Sequence, residues 1–83
     1  MYEGWHVEFS DHARRRMIER AVHEKEIRET ISGPEAVRPN SRHGGKLLSR
    51  YLVEWDRILV VSVEEIEDQG VLLVKTVLWS AEK

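Results

Sequence analysis

Ser10-Asp-His-Ala-Arg-Arg-Arg-Met-Ile-Glu-Arg20 is the stretch on which the fold turns. At about 100° per residue it sorts as an amphipathic helix. Ala13, Met17 and Ala21 share one stripe, with Ile18 beside it. His12, Arg16 and Arg20 are four residues apart and form a second stripe on the flank of the first. Arg15 and Glu19 point outward. A polar row beside a buried row lies at the edge of the core, where a histidine and two guanidiniums are held in fixed positions. Such a row can grip phosphate. It can equally anchor the helix to carboxylates or sheet-edge carbonyls, with the imidazole bonded to nearby backbone. Spacing alone leaves both readings open.

Before this helix, Trp5, Val7 and Phe9 alternate with His6 and Glu8, the pattern of a short half-buried strand. Ser10 is a good N-cap, and Asp11 suits the positive end of the helix dipole. The helix is expected to end near Arg20 or Ala21. A second helix opens with Glu24, Lys25 and Glu26. Ile27 and Ile31 give it a narrow apolar stripe, and Gly33-Pro34 stops it. His23 falls at its N-cap, with Val22 and Ile27 spaced for a hydrophobic staple.

Residues 34–46 are the least regular. A short strand fits Ala36–Arg38, and Pro39 confines it to a sheet edge. Asn40-Ser-Arg-His-Gly-Gly45 reads as a flexible basic turn. Leu47–Trp55 alternates as a strand, and Asp56-Arg57 makes a turn. Ile58–Val63 is nearly continuously apolar, the pattern of a central strand covered on both faces. Glu64–Gly70 reads as an acidic hairpin loop. Val71–Trp79 is an apolar strand interrupted by Lys75 and Thr76, and Ser80–Lys83 is a tail. Two helices must cover a sheet face for their apolar stripes to meet anything. The expected fold is α+β: a strand, then two helices packed on an antiparallel β-meander, in one domain over residues 1–83.

With 83 residues, the chain supports a single two-layer core. Hydrophobic residues make up 41% and charged residues 34%, the balance of a globular chain rather than a disordered one. There is no cysteine, which removes disulfides, thiolate metal sites and a cysteine nucleophile. The first residues have neither a basic start nor an apolar core, so no signal peptide is expected. The apolar runs are far too short to span a bilayer. Cytoplasmic location follows as the expectation.

Net charge is −2, unevenly spread. Residues 12–20 hold four Arg against one Glu, or +3. Residues 38–57 hold four Arg and one Lys against Glu54 and Asp56, again +3. From Ile58 onward two Lys face five acids, or −3. A basic face on an acidic chain is the result. No HExxH, no Gly-rich phosphate loop before a helix and no serine elbow is present. The four histidines show no short ligand spacing, so neither a metal nor another cofactor is expected.

His12-Ala13-x-x-Arg16-Met17-x-x-Arg20-x-Val22 resembles the opening signature of a family of small uncharacterised domains grouped with BrnT-like and RelE/ParE-like toxins of toxin–antitoxin systems. The likeness covers most of the chain, and the His-Ala-x-x-Arg-x-x-x-Arg piece is its specific part. It implies a RelE/BrnT-like fold and metal-independent cleavage of free or ribosome-associated mRNA. It also implies an antitoxin partner. Such cleavage must move two protons and hold a phosphorane charge. His12 and Arg16 are the catalytic candidates by resemblance. Arg20, Lys46, Arg50 and Tyr51 are candidates to bind RNA.

The chain departs from that family in three respects. RelE-like toxins are strongly basic, the N-cap at His23 is usually Ser or Thr, and late strands carry catalytic groups. Here the last strand offers only Lys75, Thr76 and Ser80. The alternative is a non-catalytic binding module of the same fold, which holds a protein partner or nucleic acid on its basic helix–loop face. The Pro-marked edge also allows homodimerisation through the sheet.

Overall fold

The computed structural model of the chain describes residues 1–80. Its elements are β1 (His6–Phe9), α1 (Asp11–Glu19), α2 (Glu24–Ser32), β2 (Ala36–Pro39), β3 (Lys46–Leu52), β4 (Arg57–Ile66) and β5 (Val71–Ser80). A single 3-10 turn, Glu67–Gln69, joins β4 to β5. The strands form one sheet in the order β1-β5-β4-β3-β2. Strands β2 to β5 pair antiparallel in sequence order. β1 pairs parallel with β5, so the α+β fold has a mixed sheet, the expected antiparallel meander with the first strand added in parallel at its edge. β1 runs straight into α1. The chain then crosses the sheet face through both helices and returns as β2 on the far edge, leaving the outer edge of β5 for β1.

Local chemistry sets the two helices. Ser10 caps α1: its hydroxyl accepts from the Ala13 N–H at 3.0 Å and donates to the Lys75 carbonyl at 3.2 Å, tying the helix start to β5. α1 ends in a Schellman motif. Val22 N–H reaches Met17 O at 2.9 Å and Ala21 N–H reaches Ile18 O at 3.4 Å, with Ala21 left-handed at φ +53°. At the start of α2, the buried Glu26 accepts from the His23 backbone N–H at 2.8 Å and from the Trp55 indole N–H.

The core lies between the helices and one sheet face. Ala13, Met17, Val22, Ile27 and Ile31 meet Leu48, Leu52, Leu59, Val61, Val63, Leu72, Val74 and Val77. Trp5 and Trp79 pack against its margin, and the partly exposed Trp55 leans on Trp79 with centroids 6.0 Å apart. Among the described residues the opposite face of the sheet carries no helix. Val60 and Ile58 lie on it half-buried, which corrects the expectation of a strand covered on both faces. Their apolarity serves a shallow shelf shared with Leu47 and Ser49.

Strand ends also differ from expectation. β3 stops at Leu52, and the turn spans residues 53–56 with Asp56 at φ +50°. β4 runs on through the acidic residues to Ile66, because Glu64 and Glu65 pair with Leu73 and Leu72. The register of β4 and β5 jumps at Ser62/Val63, where Lys75 is the extra residue. Ser80 closes β5, and the rest of the expected tail, positions 81–83, lies outside the described residues. Among the described residues no helix is long and apolar enough to cross a membrane.

Candidate functional site

A gathering of uncommitted basic side chains surrounds a cleft of about 450 Å³ on the sheet face opposite the helices, its floor drawn from β3, β4 and β5. His12, in the first turn of α1, forms one wall. Asn40, Arg42 and His43 from the β2–β3 loop form the other, and Leu47, Ser62, Lys75, Thr76 and Leu78 make the floor. The volume lies in the range of ligand clefts. β1 is short and ends at Phe9, opposite Val74. β5 continues past it, so its second half has a free edge over which α1 begins.

The loop is built, not slack. Asn40 N–H donates to Gly45 O at 2.9 Å and Gly44 N–H to Asn40 O at 2.8 Å. Asn40 also accepts from the His43 N–H at 3.2 Å and donates to the Ser62 hydroxyl at 3.3 Å. Gly45 has φ +75°, and a Cβ there would sit 2.1 Å from Val63 O. Only glycine lets the loop lie this close to β4 opposite the bulge in β5. Lys75 reaches across the bulge to donate to His43 O at 2.9 Å and Gly44 O at 3.1 Å, with Glu64 at 3.7 Å.

Most other cations on the chain are occupied. Arg14 and Arg28 share Glu24, Arg16 holds Glu19, and Arg57 lies 4.7 Å from the Trp79 ring centroid. Around the cleft, the His12 and His43 imidazoles and the Arg42 guanidinium make no hydrogen bond or ion pair among the described residues. Two unbonded imidazoles and one guanidinium on one cleft can move protons and hold a phosphate.

The residues expected to form a site do not assemble. Of the six, His12 alone lines the cleft. Arg16 pairs with Glu19 on the surface of α1. Arg20 donates to Val77 O at 2.6 Å, a helix-to-sheet-edge bond. Lys46 binds Glu65 at 3.0 Å. Arg50 donates to Gly33 O at 2.6 Å, behind α2. Tyr51 bonds Asp56 through its hydroxyl and Glu35 through its N–H.

The acid between Lys46 and Tyr2 is held in its charged form. Hydrogen bonds from the Tyr2 hydroxyl at 2.6 Å, and then from Lys46, hold Glu65 below the usual carboxylate range. Burial, followed by that carboxylate, pushes the Tyr2 phenol well above its own. This trio fastens the N-terminal arm to the sheet.

Sequence reasoning missed Arg42, His43, Asn40 and Lys75 as a unit. Two signals were present: a basic turn ending in paired glycines, and a lysine breaking an apolar strand. What joins them is a bulge, which no residue pattern announces.

No curated protein and no solved structure matches the chain. Residues 9–79 match a domain of unknown function, DUF4258, and that span holds every residue of the cleft. The chain therefore belongs to the DUF4258 family of domains of unknown function.

Proposed function

We propose that the cleft is a metal-independent RNA-cleaving site in a RelE/BrnT-like toxin-type domain. The observation that carries this reading is the pair of unbonded imidazoles, His12 and His43, facing one cleft with an unbonded guanidinium, Arg42. One imidazole takes the proton of a ribose 2′-hydroxyl. The 2′-oxygen attacks the adjacent phosphorus, and the P–O5′ bond breaks. The other imidazole, protonated, gives its proton to the departing 5′-oxygen, leaving a 2′,3′-cyclic phosphate. Arg42 balances charge on the non-bridging oxygens. In this reading a small antitoxin protein masks the cleft, and the target is free or ribosome-bound message.

Incubation of purified protein with single-stranded RNA in excess EDTA tests it. The expected products carry 2′,3′-cyclic ends, and a 2′-deoxy substitution at the cleaved position blocks the cut. His12→Ala and His43→Ala each lose on the order of a hundredfold or more in rate. RNA left intact, with and without ribosomes, would sink the catalytic reading.

The second reading is a binding module on the same cleft without chemistry. The net charge of −2 and the commitment of Lys75 to loop carbonyls favour it. It predicts RNA or partner binding that Arg42→Ala weakens, with no cleavage. Pairing of two copies through β2, an edge strand with Val37 42% exposed, is a separate proposal that sedimentation resolves.

A further inference from the structure

We infer that Lys75 is a positioning residue: it fixes the 40–45 loop so that His43 and Arg42 face the cleft, and does not itself bind the ligand. Among the described residues of the cleft, Lys75 is the cation held by hydrogen bonds within the fold. Two of its donors go to the carbonyls of His43 and Gly44, at 2.9 and 3.1 Å, and Glu64 lies on the same ammonium at 3.7 Å. An ammonium has three donors. Two of the three are therefore committed to the backbone of the loop, and the acid lies within ion-pair range but beyond hydrogen-bond distance.

Three further observations bind the loop, the bulge and the lysine into one device. The register of β4 and β5 jumps at Ser62/Val63, and Lys75 is the residue that the jump leaves over. A bulge re-aims such a side chain. On the partner strand Val63 O is the atom that Gly45 packs against, and Ser62 holds Asn40. Asn40 in turn receives the His43 N–H. The bulge thus presents a lysine and a hydroxyl to one loop, and glycine at 45 lets that loop descend onto both. His43 and Arg42 are carried on its crest with nothing else holding their side chains among the described residues. Their placement depends on the backbone beneath them, and that depends on Lys75.

The cleft's role as a phosphate site rests on the function proposed above, whereas the clasp does not, and the two separate in one experiment. Lys75→Met keeps the aliphatic stem and removes the donors. Amide hydrogen exchange at Gly44 and Gly45 is expected to speed up on the order of tenfold or more, because two charge-assisted bonds are lost. His12 and His43 imidazole resonances are then followed while inorganic phosphate is added. Wild type is expected to show both imidazoles responding. Lys75→Met is expected to keep the His12 response and weaken that of His43 severalfold or more. Lys75→Arg, which keeps donors within reach of the carbonyls, restores slow exchange.

Gly45→Ala supplies an independent route to the same state: its Cβ pushes the loop off Val63 O with Lys75 intact, and the His43 response is lost in the same way. Unchanged exchange at Gly44 and Gly45 in Lys75→Met overturns the clasp, as does a loss of phosphate response at both histidines with the loop still protected. Faster exchange with neither imidazole responding to phosphate in wild type upholds the clasp and counts against the phosphate site.

Discussion

At the scale of single residues, the chain spends its charges on architecture before it spends any on a site. Arg20, Arg50 and Lys46 all resemble ligand-binding residues in sequence, and all are used within the fold. The reason is geometric. A guanidinium on a helix flank ends near the sheet edge, where carbonyls such as Val77 O lack a strand partner. Glu65 shows how such uses register in pH. Tyr2 and Lys46 hold its folded pKa below its ordinary value of 4.5. A depressed acid contributes stability that is complete above the ordinary value and is lost as pH falls through the lowered one. Glu65→Gln is therefore expected to cost about 1 kcal/mol at pH 7, the size of one net hydrogen bond. The gap from wild type should close progressively below pH 4.5. Urea titrations at pH 7 and in the acid range measure it, and a gap that stays constant with pH would remove the ionised Glu65 from the account.

At the scale of elements, what the sequence makes legible is whatever repeats with a period. α1 and α2 follow from the stripes of Ala13, Met17, Ile27 and Ile31, and these are the residues that reach the core. β2 at an edge follows from Pro39. The parallel pairing of β1 does not follow, because four residues carry too little pattern to choose a neighbour or a direction. The cleft is legible only in fragments, since its walls come from the start of α1, one loop and a bulge, brought together by pairings far apart in sequence.

The end of α1 is an instructive omission. A Schellman motif usually announces itself with glycine, and here alanine occupies the left-handed position at φ +53°. Ala21 is exposed, so it forfeits no packing if replaced. Left-handed backbone costs an L-residue about 1–2 kcal/mol, partly offset by the greater unfolded-state entropy of glycine. Ala21→Gly is thus expected to stabilise the protein by about 0.5–1 kcal/mol, seen as a raised urea midpoint at unchanged slope. A lowered midpoint would mean that the helix end relaxes away from this geometry.

At the scale of the whole molecule, the separation of charge decides how strongly the cleft can hold a polyanion. The chain is −2 overall, the segment from Ile58 onward is net −3, and Arg14, Arg16 and Arg28 are paired with acids where they stand. One consequence concerns salt. Binding of single-stranded nucleic acid releases about 0.7 counterion per neutralised phosphate. The cleft offers one full positive charge, Arg42, beside two imidazoles. The expected slope of log affinity against log salt is therefore shallow, between about −1 and −2. Fluorescence anisotropy of a labelled RNA across a salt series, with a matched series for Arg42→Ala, gives both numbers. Removing Arg42 should flatten the slope by roughly 0.7, the share of one phosphate. A slope steeper than about −3 would require more phosphates than this cleft can meet. It would move the contact surface to the outward arginines of α1, Arg14 and Arg15, where Glu24 would first have to release its partner. A shallow slope with a lost Arg42 contribution instead describes a site that recognises one nucleotide closely and the rest of the strand hardly at all. That is the behaviour expected of a small cleft on a sheet face of an acidic chain.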